Sequence, residues 1–417
     1  PLAPRHARRA GRLLDQPAPV IAGLPRTSQV IDEGITHGLH LGAQVYVSLH
    51  GRPLGEGAMG EARRGVGMTP EQLITWWSMT KATVAVVVAQ LWERGQVGLD
   101  DPIALHVPEF AANGKGGITI RHCLTHTGGF RGGDRVKSAK SDPQEWWGEV
   151  VSGICNVRPE PRWSPGRQAG YHMAAGTTML AEVVRRVDGR AFDRYAREEL
   201  FLPLGMDDCW VGIPAQEVER YRGRLGTMHD TAGGAAVALD HLDTEEWLTR
   251  CMPGSNGRGP MEQLARLYEA LLQGGATTPR PRPAVVPAED LKSVRILEVQ
   301  TVEAITARHR AGMVDKTFRI TCDWGLGFAI DNFAMGRHCS RRAYGHGGAQ
   351  SSVAYADPEF GLVVAIQTNG MPPPDQHYRR FAAISDAVYE DAALADPADP
   401  GREKPVPVEA GLAAVRR

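Results

Sequence analysis

Thr75-Trp76-Trp77-Ser78-Met79-Thr80-Lys81 runs directly into Ala82-Thr83-Val84-Ala85-Val86-Val87-Val88-Ala89-Gln90-Leu91. The run after Lys81 is almost wholly apolar and closes on Glu93, Arg94 and Gly95. A charged last turn and a glycine stop predict a buried helix. Ser78 then stands at or just before the first turn, where unpaired N–H groups and the positive helix end favour developing negative charge. An oxyanion formed on a carbonyl attacked by Ser78 would be stabilised there. Lys81, three residues on, shares a helix face with Ser78, at roughly 5–6 Å between Cβ atoms. A lysine heading an apolar helix is poorly solvated, loses its proton more readily and can act as a base towards the hydroxyl. Ser-x-x-Lys also arises by chance and serine is a common N-cap, so the pair needs support from elsewhere in the chain.

A chain of 417 residues can bury a large core and would normally divide into two lobes. The net charge of −1 gives no pull towards nucleic acid or an anionic membrane surface. No run reaches the length of a membrane span. The N-terminal stretch is Arg-rich without the apolar core of a secretory signal, and a cytoplasmic location is expected. Cys123, Cys155, Cys209, Cys251, Cys322 and Cys339 include no Cys-x-x-Cys pair, so reduced, packed thiols are expected in place of a zinc or redox motif. His122 and His126 are four apart but lack the intervening Glu of a zincin, and Gly128-Gly129 breaks the helix at once. Packed or capping histidines are expected, with no metal and no cofactor.

In chain order, Ser28 is placed to cap a helix over residues 28–39. Period-two Val45, Val47 and Leu49, the turn Gly51-Arg52-Pro53 and an extended run to Ala58 predict a β-hairpin. Gly57, Gly60, Gly65 and Gly67 then mark a winding loop. Residues 131–160 read as polar and irregular, and Trp146, Trp147, Trp163 and Trp324 can line a cleft as readily as pack in the core. Tyr171 precedes an amphipathic helix ending at Gly189, and residues 192–202 form another. Residues 211–290 hold a helix from Met261 to about residue 273 and the Pro-rich segment 279–287. Gly345-His346-Gly347-Gly348 reads as a glycine-rich corner, residues 362–368 as a strongly apolar strand, and residues 379–394 as a last helix. A hairpin first, helices in the middle and strands last predict an α/β fold of the α+β type, an antiparallel sheet flanked by helices with an inserted mainly helical lobe. The expected divisions are 1–25 as a loose extension, 26–75 plus 295–394 as the α/β lobe, 76–294 as the helical lobe and 395–417 as a disordered tail.

Six short motifs occur together: Ser78-Met79-Thr80-Lys81; Leu124-Thr125-His126-Thr127-Gly128-Gly129; Trp163-Ser164-Pro165-Gly166 followed by Tyr171; Pro203-Leu204-Gly205-Met206; Gly345-His346-Gly347-Gly348; and Asp357-Pro358. In this order, over about residues 25–392, they resemble the serine β-lactamase-related superfamily, closest to the class C-like branch of D-alanyl-D-alanine carboxypeptidases, family VIII esterases and biosynthetic transacylases. The resemblance implies a β-lactamase/transpeptidase-like fold with Ser78 as the acylated nucleophile and Lys81 as acceptor or relay of its proton. Tyr171, as phenol or as a phenolate held by Lys81, would exchange protons with Ser78 and the leaving group. The N–H groups of Ser78 and Ala349 would form the oxyanion hole. His346, Gly347, Gly348, Trp77 and Met173 would border the substrate, with His346 contacting a substrate oxygen.

Two departures bear on the substrate. Where β-lactamases of this class have Tyr-x-Asn, Met173 takes the third position, and His346-Gly347-Gly348 replaces Lys-Thr-Gly. The family's Asn and Lys help to hold a penicillin's amide and carboxylate, so efficient β-lactam turnover is not expected. The partner is then a small-molecule acyl donor. Release of the acyl group by water makes the protein an esterase or amidase, and release by an amine or alcohol acceptor makes it a transacylase. A non-catalytic binding module is the third reading, opposed by the intact Ser78, Lys81 and Tyr171 set.

Overall fold

A computed structural model describes residues 20–277, 293–396 and 398–407. The expected extension lies largely outside these residues, and the Pro-rich segment 279–287 wholly so. The chain is a mixed α/β fold around one antiparallel sheet, whose strands are β1 (Gly42–Leu49), β2 (Arg52–Arg63), β3 (Val66–Gly67), β4 (Asp323–Trp324), β5 (Ala329–Ile330), β6 (Tyr344–Gly348), β7 (Ser352–Asp357) and β8 (Leu362–Thr368). Their order across the sheet is β4-β5-β6-β7-β8-β1-β2-β3, so strands from both ends of the chain meet where β1 pairs antiparallel with β8. The longer helices are α1 (Pro25–Thr36), α2 (Lys81–Glu93), α3 (Pro143–Asn156), α4 (Ala175–Asp188), α5 (Met261–Leu272) and α6 (Pro374–Asp391).

Strand alternation divides the core in two. Val45, Val47, Val353, Tyr355, Val364 and Ile366 pack with Leu24 and Ile31 of the α1 region and Phe381, Ile384 and Val388 of α6. Tyr46, Ala354, Ala356, Val363 and Ala365 face the opposite way and join α2, α4 and α5. Both faces are covered, which explains why β8 reads as an unbroken apolar run rather than an alternating one. On the α5 side, Glu269 accepts hydrogen bonds from Tyr46 (2.9 Å) and Ser48 (2.6 Å). The first eleven residues of α2, from Lys81 to Leu91, are all buried.

Several expectations shift. α1 starts at Pro25 rather than at Ser28, because proline suits the first turn and the Ser28 hydroxyl donates back to Leu24 O at 2.7 Å. β2 takes in Gly57 and Gly60. The chain entering α1 crosses this strand, where a Cβ on Gly55 would lie 2.5 Å from Leu24 and one on Gly57 3.0 Å from Ile21. The irregular stretch 131–160 contains α3, capped by Asp142 through the N–H groups of Gln144 and Glu145. The glycine-rich corner is strand β6, fully paired with β7. The C-terminal segment through residue 407 is laid against the fold: Arg402 and Lys404 both reach Asp331, each at 2.8 Å. Ion pairing to a half-buried carboxylate holds a stretch whose composition reads as unstructured. All six cysteines are free thiols, and no helix among the described residues is long and apolar enough to cross a membrane.

Candidate active site

Ser78 opens a short 3₁₀ turn, Ser78–Thr80, that leads directly into α2. Being first in that turn, its N–H has no carbonyl one turn back to bond. Trp77, just before it, has φ 52° and ψ −134°, a region costly for a bulky side chain, at about 1–3 kcal/mol. A clamp of hydrogen bonds holds this strained corner. Trp76 N–H donates to Gly257 O (2.8 Å), Trp76 Nε1 to Gly259 O (2.9 Å), Thr80 Oγ1 to Trp77 O (2.6 Å) and Gly257 N–H to Thr80 Oγ1 (2.8 Å). β6 closes on it from the sheet. A Cβ on Gly348 would fall 2.1 Å from Ser352 Oγ and 2.4 Å from Trp76 O. Gly348→Ala is therefore expected to push β6 off the Ser78 turn and to lower stability by about 1–3 kcal/mol, read from denaturant unfolding. Acylation should slow in parallel.

Lys81 is 2% exposed. Its Nζ lies 2.9 Å from Ser78 Oγ, 2.8 Å from Met173 O and 2.8 Å from Gly254 O. Burial pulls its pKa down to about 7, opposed only by the Asp134 carboxylate. Carbonyls only accept hydrogen bonds, which fixes the geometry in both protonation states. An ammonium spends one hydrogen on each of the three oxygens. The neutral amine spends both hydrogens on the carbonyls and turns its lone pair to the Ser78 hydroxyl.

Tyr171 is buried 5.1 Å from Lys81 Nζ, measured to the ring centre. Burial pushes its hydroxyl well above the usual phenol range, with a hydrogen bond to Ser78 opposing in part. This favours the phenol over the Lys81-held phenolate. The segment it opens is held by side chains at every N–H. Tyr171 donates to Asp315 (3.1 Å), His172 to His126 Nδ1 (3.2 Å), Met173 to Asp134 (2.9 Å), Ala174 to Asp134 (2.8 Å) and Ala175 to Asp134 (2.7 Å). Asp315 is itself paired with buried Arg310 at 3.1 Å. His126 is a packed histidine, its ring 4.5 Å from Tyr171 and 4.6 Å from Trp324. His122 caps its own short helix through Thr119. Among the described residues no group of three His, Cys, Asp or Glu is placed to hold a metal ion.

His346, on β6, lies with its ring centre 6.1 Å from that of Tyr171 and is 3% exposed. Its Nδ1 is 2.7 Å from Gly347 O, so the proton sits on Nδ1. Burial first and Lys81 second lower its pKa to about 3, leaving Nε2 a bare acceptor. The expected contact with a substrate oxygen then requires that oxygen to be a hydroxyl. Ala349 follows β6 directly and packs with Trp77 in an apolar patch that includes Met228 and Met371. Met173 packs beside Tyr171. Of the four tryptophans named for a cleft lining, Trp324 touches Tyr171, His126 and His346. Trp163 backs the site, donating to Thr127 O at 2.9 Å. Trp146 and Trp147 line a separate cavity of about 570 Å³ beside α3. Asp134, Asp315 and the Gly254 carbonyl escape sequence reasoning. Two are lone carboxylates outside any motif, and a backbone carbonyl has no residue-type signal.

The beta-lactamase family model matches residues 27–389. The esterase/beta-lactamase LipL of Mycobacterium tuberculosis is 26% identical over 370 residues, covering 80% of this chain and 78% of that protein. Esterase EstB of Burkholderia gladioli is 26% identical over 392 residues, covering 87% and 94%. The solved structure of a penicillin-binding protein homologue from Caulobacter crescentus aligns with a TM-score of 0.70 at 26% identity, covering 88% of this chain and 97% of that one.

Proposed function

Given that the chain belongs to the beta-lactamase family, we propose that it is a serine-dependent acyl-transfer enzyme, an esterase or amidase-type hydrolase acting on a small-molecule ester or amide through an acyl-Ser78 intermediate. The observation that carries this is Lys81 Nζ at 2.9 Å from Ser78 Oγ with both of its other contacts on carbonyls. As Ser78 Oγ attacks the substrate carbonyl carbon, its proton passes to the Lys81 lone pair. The oxyanion that forms is met by the N–H groups of Ser78 and Ala349. Tyr171, a phenol near neutral pH, protonates the departing alcohol or amine and recovers a proton from the Lys81 ammonium. Water then takes the acyl group by the reverse path. An amine or alcohol acceptor can take water's place with the same residues, which is the transacylase alternative.

The names of LipL and EstB as esterases support this choice within the family. So does the site's charge. His346 is neutral where the family's lysine would be a cation, and Met173 offers no side-chain amide, so a penicillin's carboxylate and amide lose their partners. Six free thiols suit a reducing cytoplasm.

Incubation with p-nitrophenyl butyrate is expected to add one butyryl group to the intact mass, mapped to Ser78. Because the working form of Lys81 is the neutral amine, the acylation rate should climb with pH through about 7 and level above it. Two pH units below that point it should be about a hundredfold slower. An unmodified Ser78, or a flat profile, overturns the reading. Added amines that turn the product from acid to amide assign transfer over hydrolysis.

A further inference from the structure

We propose that Asp134 is the positioning residue of this site: its carboxylate holds the start of α4 so that the Met173 carbonyl meets Lys81 Nζ and directs the amine at Ser78. The inference rests on the reading of Ser78 and Lys81 as the acylated nucleophile and its base, and adds a residue outside both.

Asp134 sits on the short turn Arg131–Arg135, in none of the motifs. Its Oδ2 accepts the Met173 N–H at 2.9 Å, and its Oδ1 accepts those of Ala174 at 2.8 Å and Ala175 at 2.7 Å. These are N–H groups at the head of α4 that have no carbonyl within the helix to bond, and Ala174, the N-cap, has no side chain to supply an acceptor. A carboxylate brought from a separate turn replaces the missing cap. Gly133 permits the approach, since a Cβ there would lie 2.8 Å from the Ala175 Cβ. The consequence reaches the chemistry through one residue: the Met173 whose N–H is fixed is the residue whose carbonyl receives Lys81 at 2.8 Å.

Among the described residues the same carboxylate is the one charge that shifts the buried amine. The other titratable groups facing Lys81 are Tyr171 ahead of α4, His126 after its short helix and His346 on β6. Burial keeps all three uncharged near neutrality. Arg131, on the same turn as Asp134, is committed to Glu160 at 2.8 Å and Thr317 at 2.8 Å.

Asp134→Asn keeps shape and one acceptor oxygen but turns an N–H₂ towards one of the three N–H donors and removes the charge. The acylation rate at plateau pH should fall about tenfold or more with little change in KM. The acid limb of the pH profile should move to lower pH, because the group that favours the protonated amine is gone. Asp134→Glu, which restores charge and acceptors, should return the limb to its original position and recover part of the rate. A purely structural role would lower the melting temperature while leaving the limb in place, and that outcome overturns the proposal. If Asp134→Asn does not fold, the limb and rate of Asp134→Glu decide alone: both unchanged, despite carboxylate oxygens displaced by a methylene, overturns it. If the wild-type protein fails to acylate at Ser78, the reading of the site falls. If the wild type acylates and Asp134→Asn matches it in rate and limb, only this inference falls.

Discussion

Ser78→Ala is expected to abolish the acyl adduct and to lower kcat for ester hydrolysis by about 10⁴-fold or more, leaving only what binding and oxyanion contacts provide. The size of the effect follows from the mechanism: among the described residues no second nucleophile hydrogen-bonds Lys81, whose other two contacts are the carbonyls of Met173 and Gly254. Stability should barely change. The corner at Trp77 is held by backbone and Thr80 contacts that do not involve the serine hydroxyl, so removing Oγ releases no clamp. Lys81 retains both carbonyls, and its neutral form loses only the hydroxyl that donates to its lone pair. Intact mass after exposure to the activated ester, together with a thermal melt, checks both halves. An adduct that persists in Ser78→Ala places the nucleophile elsewhere.

The parts of this architecture that could be read from sequence are those written in side-chain type and period. The buried helix after Lys81 is legible because its apolar run has no polar face, and the hairpin because Val45 and Val47 alternate. The nearness of Ser78 to Lys81 follows from helix geometry alone. Tyr171 is different: nothing local ties it to Ser78, and only the ordered resemblance places it there. What remained hidden is backbone. The glycines of β2 and β6 look like loops because glycine is scarce in strands. Here they are sites of close approach, Gly55 under Leu24 and Gly348 against Trp76 O, and a single sequence does not carry the crossing chain that demands them. The polarity of residues 131–160 likewise masks α3, whose buried residues Val150, Val151, Ile154 and Cys155 crowd its C-terminal half.

Lys81→Met should lower the acylation rate by about 10³–10⁴-fold, at the upper end for loss of a positioned base, and should erase the acid limb near pH 7. Methionine nearly matches the lysine stem in volume, so packing around α2 survives. Stability reflects two opposed effects. The Met173 and Gly254 carbonyls lose a buried donor, at about 1–3 kcal/mol for groups left unpaired. Against that, the folded state no longer has to bury an ionisable amine. The linkage has a definite sign. The Lys81 pKa is lowered on folding, to about 7, so the unfolded chain binds the extra proton between that value and the usual lysine range. The wild type therefore gains stability as pH rises through this window, and Lys81→Met should lose that slope. The variant also separates the two candidate bases. With Tyr171 held as a phenol by burial, no group is left to take the Ser78 proton near neutrality and the residual rate should stay flat from pH 6 to 9. A rate that instead recovers steeply in alkali would assign proton abstraction to the Tyr171 phenolate and reverse the roles of amine and phenol.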